Sequence, residues 1–109
     1  MSVQHRELAA GRWAQMSLAE QMANIGSEVE RALNWRAKNN AAYSLRAAER
    51  ALELFDLSLG GSREFPRLRE LARMRVTLVD YFYGANEYGS TEISLKRYFS
   101  PFTHVAKIR

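Results

Sequence analysis

Arg97 and His104 are the residues of this sequence whose types and spacing are best suited to catalysis. They are seven residues apart, so on one helix they would share a face, about 10 Å apart along its axis. A guanidinium can stabilise negative charge, and an imidazole can transfer a proton. Pro101 lies between them, and its ring clashes with the carbonyl of Arg97, four residues earlier, so we expect a kink or a break. The favoured interpretation is an exposed arginine and a surface histidine, with catalysis as the alternative.

A run of arginines in the second half of the chain is the second candidate site. Arg63–Arg67 and Arg69–Arg73 are spaced by four residues, and like charges at that spacing repel one another on a helix. Phosphate groups would relieve this repulsion. We therefore predict that nucleic acid binds at Arg63, Arg67, Arg69 and Arg73. Neutralisation by glutamates of the same stretch and of a neighbouring helix is the alternative.

Arg75 has a different predicted role. It lies between Leu71 and Leu78 on the apolar stripe of its segment, so we expect it to be partly buried. A buried guanidinium needs a carboxylate partner. The prediction is an ion pair across the bundle with Glu49 or Glu53.

Other catalytic or metal chemistry lacks suitable residues. The absence of cysteine excludes thiolate ligands, disulfides and a cysteine nucleophile. A di-iron bundle site needs a Glu-x-x-His motif on each of two helices, and the histidines here are His5 and His104, neither in such a motif. We predict no metal and no cofactor, and the protein is more consistent with a binding protein than with an enzyme.

The aromatic residues could stack on nucleic-acid bases, but we predict that most form the core or a subunit interface. They include a C-terminal group that contains Tyr81, Phe82, Tyr83, Tyr88, Tyr98, Phe99 and Phe102. The segment 86–89 is predicted to be a turn that docks Tyr88 against the protein.

Helical periodicity runs through most of the sequence and predicts an all-α fold. Ser17 and Glu20 match a capping box, which begins a helix that continues to about Lys38. The second helix runs over about 40–59 and is ended by Gly60-Gly61. The third has Pro66 in its first turn and ends at Gly84, and Ser90 or Thr91 caps the last. With a short extra helix within 2–15, these elements predict one domain, residues 1–109, built as an up-and-down four-helix bundle.

The composition narrows the class of protein. Of the 109 residues, 47% are hydrophobic and 26% are charged, as in a globular domain. The basic and acidic side chains balance at seven each over residues 1–59, so the net charge of +4 arises within 60–109. A basic field attracts polyanions. No apolar run has the length of a signal peptide or of a membrane span, which predicts a cytoplasmic protein without membrane contact.

Two stretches resemble known families. Ala-Asn-Ile-Gly-Ser-Glu at 23–28 and Arg-Ala-Leu-Glu-Leu at 50–54 resemble the central helix pair of the ribosomal-RNA intervening-sequence proteins, although that family has Ala-Glu-Gly where this chain has Gly-Ser-Glu. Those proteins are small four-helix bundles, and some form ring-shaped oligomers. Arg97-x6-His104 resembles the signature of the HEPN ribonucleases, in which a dimer joins two such motifs. That resemblance implies that Arg97 stabilises phosphate charge while His104 handles a proton during attack by the RNA 2′-hydroxyl.

These observations predict a self-associating binding protein, with a dimer favoured. Its ligand would be structured RNA or a partner protein, bound through the basic C-terminal half. The alternative is a HEPN-like, metal-independent ribonuclease that uses Arg97 and His104 across a dimer.

Overall fold

The computed structural model describes residues 11–61 and 65–107, and these are all-α, with no strand. A helical turn at 11–14 precedes four helices, which are α1 (Leu18–Ala37), α2 (Ala41–Gly61), α3 (Phe65–Tyr83) and α4 (Glu92–Lys107). The predicted four-helix bundle is confirmed. The turn at 11–14 falls within the stretch 2–15 where an extra helix was predicted, and residues 2–10 of that stretch lie outside the described residues.

The helix ends follow local rules. Ser17 caps α1 as predicted, because its hydroxyl accepts from the Glu20 amide at 3.1 Å and the Glu20 carboxylate accepts from the Ser17 amide at 2.9 Å. Thr91 and Ser94 form the equivalent reciprocal pair at the start of α4. The second helix extends through Gly60 to Gly61, slightly beyond its predicted end.

Helix α1 has neighbours on two sides, since it packs against α2 and α4, while α3 packs against α2. The largest fully buried side chains are Phe55, Met22, Ile25, Leu71, Leu78, Leu95 and Val29. They come from all four helices, so the bundle has one shared core.

The contact between α1 and α2 is made by small residues, which we call the small-residue seam: Ala32, Ser44, Ala47 and Ala48. All four are buried, and the Ser44 hydroxyl donates to the Ala32 carbonyl at 2.8 Å. Small side chains let helix backbones approach closely. The same principle acts between α1 and α4, where a Cβ on Gly26 would lie 2.8 Å from the Phe99 Cβ.

The N-terminal turn is fastened to the bundle by buried hydrogen bonds. The Trp13 indole donates to the Ser58 hydroxyl at 3.0 Å, and that hydroxyl donates to the Gln21 side-chain carbonyl at 2.9 Å. The side-chain amide of Gln21 in turn donates to the Trp13 carbonyl at 2.9 Å, which completes the hydrogen-bond network. Trp13 therefore belongs to the core, as predicted for most of the aromatic residues.

Helix α4 continues through Pro101, so the break considered as one outcome does not occur. Both Pro101 and Arg97 are exposed. Their side of the helix faces water, which can hydrogen-bond the carbonyl that the proline leaves without its helical donor. In the described part of the chain, no helix is both long and apolar enough to cross a membrane.

Candidate nucleic-acid interface

Some cations of the bundle have acidic partners and others do not. Glu28 binds both Arg31 and Arg50, at 2.7 and 3.0 Å. By contrast, the predicted nucleic-acid-binding residues Arg67, Arg69 and Arg73 are exposed, and their side chains make no ion pair or hydrogen bond within the described residues. The fourth predicted residue, Arg63, lies outside the described residues.

Arg75 pairs with Asp56 of α2, so the predicted ion pair across the bundle is confirmed, although its partner is neither of the glutamates named as examples, Glu49 and Glu53. Its guanidinium holds the Asp56 carboxylate through two hydrogen bonds, of 2.8 and 3.2 Å. The side chain of Arg75 is 32% exposed, so the predicted partial burial is correct. The rotation of α2 decides the partner, because Phe55 points into the core and its neighbour Asp56 then reaches the flank of α3.

Glu70 was considered as a counter-charge for the arginines, but it has another partner. Its carboxylate accepts a hydrogen bond of 3.0 Å from the Tyr98 hydroxyl on α4. Burial of the phenol, together with the negative charge of Glu70, raises the pKa of Tyr98 well above its ordinary value. Glu70 therefore forms no ion pair with a described arginine of α3, although its negative charge lies on the same helix as theirs.

A cavity of about 610 Å³ lies over the outer face of α3, between this helix and the loop that follows it. Its lining residues are Ala72, Arg73, Val76, Thr77, Tyr88 and Ser90. Val76 is 51% exposed and Tyr88 is 66% exposed. The cavity thus combines a cation, an exposed aromatic ring and an apolar floor.

The predicted turn is present and is held by the side chains of Asp80 and Asn86, but Tyr88 is 66% exposed, so the prediction that the turn docks this ring was wrong. The Asp80 carboxylate accepts hydrogen bonds from the backbone amides of Glu87 and Tyr88, at 2.8 and 3.0 Å. Asn86 adds two hydrogen bonds with the backbone of Ser90. These bonds fix the turn without using the aromatic ring, which remains in solvent.

A second cavity, which we call the corner pocket, was not predicted. It has a volume of about 390 Å³ and lies between the α1–α2 turn and the end of α3. The Arg36 guanidinium lies over the Tyr81 ring, 4.6 Å from its centroid, and donates to the Tyr81 carbonyl at 3.1 Å. Opposite, the Tyr83 hydroxyl donates to the Leu45 carbonyl at 3.2 Å. Burial, and then the charge of Glu49, raise the pKa of Tyr83.

Arg97 and His104 are both exposed on α4. Because the helix is continuous, their spacing of seven residues keeps them on one face. Neither forms an ion pair or hydrogen bond with another described residue. Within the described part of the chain, no three histidine, aspartate or glutamate side chains are placed to hold a metal ion.

Compared with known proteins, the chain matches no family model, no curated protein and no solved structure. The resemblances to the intervening-sequence proteins and to the HEPN ribonucleases therefore stay predictions.

Proposed function

We propose that the protein is a cytoplasmic RNA-binding protein that uses the outer face of α3 and the loop after it. One observation carries the proposal: Arg67, Arg69 and Arg73 have no ion-pair partner among the residues that the structure describes, and Arg73 shares its cavity with the exposed ring of Tyr88. Arginines without counter-ions are suited to bind phosphates, and an exposed tyrosine can stack on a base.

The fixed backbone of the loop after α3 supports a role for the exposed Tyr88 ring in ligand binding. The side chains of Asp80 and Asn86 accept hydrogen bonds from backbone amides on both sides of the turn and at Tyr88 itself. Asn86 and Gly89 adopt positive φ angles of 55° and 64°, which the turn requires. A backbone that is held in advance loses little conformational entropy when a base stacks on the ring that it carries.

The test measures binding of a fluorescent structured RNA by polarisation over a series of salt concentrations. We compare the wild type with a variant carrying Arg67→Gln, Arg69→Gln and Arg73→Gln. Each lost phosphate contact lowers the slope of log affinity against log salt by about 0.7 to 0.9. We therefore expect the slope to fall by about 2.

A variant with the same net charge provides the matched control. It carries Arg12→Gln, Arg31→Gln and Arg46→Gln, which change exposed arginines away from the outer face of α3. This control should bind almost as the wild type does. Equal losses in the two variants would mean that only net charge matters, and absence of salt-dependent binding by the wild type would leave a protein partner as the ligand.

We also propose that the protein forms a dimer through the outer side of α4. Ile93, Pro101 and Val105 are exposed at intervals of four or eight residues, so they form one stripe. Ile93 is 67% exposed and Val105 43%. Light scattering should report a dimer for the wild type and a monomer for the double variant Ile93→Glu, Val105→Glu. A wild-type monomer across micromolar concentrations would refute the dimer.

A second candidate function is metal-independent RNA cleavage by Arg97 and His104 across that dimer. The observation that favours it is the continuity of α4 through Pro101, which leaves both side chains exposed on one face. The wild type should cleave RNA in the presence of a chelator, and His104→Ala should not. Equal cleavage by both proteins would indicate a contaminating nuclease.

A further inference from the structure

The corner pocket combines three kinds of group that nucleotides require. Arg36 uses one N–H on the Tyr81 carbonyl, which leaves its other donors for an anion. The Asn39 side chain is exposed and makes no hydrogen bond to another described residue, so its amide can meet a base edge. Tyr83 and Leu45 are 48% and 38% exposed and form an apolar wall.

The arrangement of these groups selects the class of ligand. The Arg36 guanidinium carbon lies 4.6 Å from the centroid of the Tyr81 ring and 6.0 Å from that of Phe82, so two aromatic side chains hold the cation at the pocket. A volume of about 390 Å³ lies within the range of small-molecule sites. A paired base could not enter, because both its faces and its edge are occupied in a duplex.

We infer that the corner pocket binds an unpaired nucleotide, with its phosphate at Arg36, its base edge at Asn39 and its ring against Tyr83. The inference rests on the proposed function in one respect, since the nucleotide would belong to the same RNA that contacts α3. Tyr83 and Arg73 are ten residues apart on α3, about 15 Å along the axis. A looped-out strand can reach both places. The same chemistry would also accept a free mononucleotide.

The experiment uses two variants that leave the backbone unchanged. Arg36→Lys keeps the charge and loses the rigid fork of donors that can bind a phosphate through two hydrogen bonds. Asn39 has a φ of 62°, a conformation that glycine adopts without strain, so Asn39→Gly removes only the amide. Arg46→Lys is the matched control, because Arg46 lies over Tyr43 at 5.4 Å and does not line the pocket. Thermal unfolding by circular dichroism checks that all three variants fold.

Each protein is titrated with a short oligouridylate, with an adenine–uracil RNA duplex and with uridine monophosphate. We expect Arg36→Lys and Asn39→Gly each to weaken oligouridylate binding by about tenfold, with duplex binding unchanged. Arg46→Lys should leave all three affinities unchanged. Binding of oligouridylate that neither pocket variant weakens, or a loss that is equal for the duplex, would overturn the inference.

The mononucleotide arm separates this inference from the proposed function. If the wild type binds uridine monophosphate, and the pocket variants do not, while neither RNA binds, the pocket takes a free nucleotide and RNA binding is wrong. If both RNAs bind with the expected dependence on the α3 arginines, but the pocket variants behave as the wild type, RNA binding stands and the pocket inference fails.

Discussion

Helices α1 and α3 both belong to the bundle, but their surroundings differ. The inner side of α1 is closed by α2 and α4, and Gly26 and Ala32 are buried there. The outer face of α3 carries arginines, an exposed valine and a cavity. Stability is therefore concentrated at α1, which leaves α3 free to carry charges that repel one another. Substitutions of equal size should consequently have unequal effects in the two regions.

Ala47→Leu should have the largest effect on stability. Ala47 is 0% exposed within the small-residue seam, and a leucine there must push α1 and α2 apart. Overpacking of this kind costs about 3 kcal/mol of the free energy of unfolding. Urea denaturation measures the cost.

Ala72→Leu is the matched control for that substitution. Ala72 is exposed on α3 and lines the open cavity, so the same added volume should change stability by less than about 0.5 kcal/mol. Similar losses at the two positions would contradict the contrast between the two helices.

Gly26→Ala should destabilise the protein although alanine favours helix. The new Cβ would lie 2.8 Å from the Cβ of Phe99, an atom fixed to the backbone of α4, so the two helices must separate. Overpacking outweighs a gain in helix propensity of about 1 kcal/mol and leaves a net loss of about 2 kcal/mol. Thermal unfolding of this variant beside Gly11→Ala, where nothing lies within 4 Å of the added Cβ, isolates the steric term. A stabilised Gly26→Ala protein would show that α1 and α4 can separate freely.

The sequence predicted interactions between residues close together in the chain better than interactions between helices. The caps at Ser17 and Thr91 depend on residues three positions away, so they could be predicted from the sequence. The partner of Arg75 depends on how α2 is rotated in the bundle. The buried side of α2 includes Ser44 and Ser58 as well as alanines, so the apolar residues of its sequence do not by themselves show which side of α2 faces the core.

The two candidate sites differ in the same respect, since one lies on a single helix and the other is formed between helices. The α3 arginines were predicted because their spacing is a property of one helix. The corner pocket is assembled from three helices, and nothing near Arg36 in sequence indicates that it lies over Tyr81, which is 45 residues away. Tyr88 was misplaced because the hydrogen bonds that hold its loop come from Asp80, which had been given no role.

Asp80→Asn should loosen the loop without unfolding the bundle. The substitution removes the charge that two backbone amides bind, which should cost about 1 kcal/mol of stability. Hydrogen exchange at Glu87 and Tyr88 should become faster, and RNA affinity should fall several-fold because Tyr88 is no longer held in place. Unchanged exchange at these two amides would show that Asn86 alone fixes the turn.

Tyr98→Phe should have the smallest effect at neutral pH and a distinct effect at alkaline pH. The phenol joins α4 to α3 through its hydrogen bond to Glu70, and its loss should cost about 0.5 kcal/mol. Burial is the main cause of the raised pKa of Tyr98, followed by the negative charge of Glu70 and the hydrogen bond to it. The folded protein thus retains a proton that the unfolded chain releases near the ordinary tyrosine pKa of 10.0.

The sign of the pH dependence follows from that difference. Where the folded state holds the proton more tightly, the contribution to stability is intact below pH 10 and declines as the pH rises above it. Denaturation series from neutral to alkaline pH should show this decline in the wild type and a shallower one in Tyr98→Phe. Tyr83→Phe is the control: the pKa of Tyr83 is also raised, but that side chain is 48% exposed, so its removal should flatten the decline less. If stability fell equally with alkaline pH in the wild type and in Tyr98→Phe, the phenol would ionise as readily in the bundle as in the unfolded chain. The contact between α3 and α4 would then be as accessible to water at Tyr98 as the loop is at Tyr88.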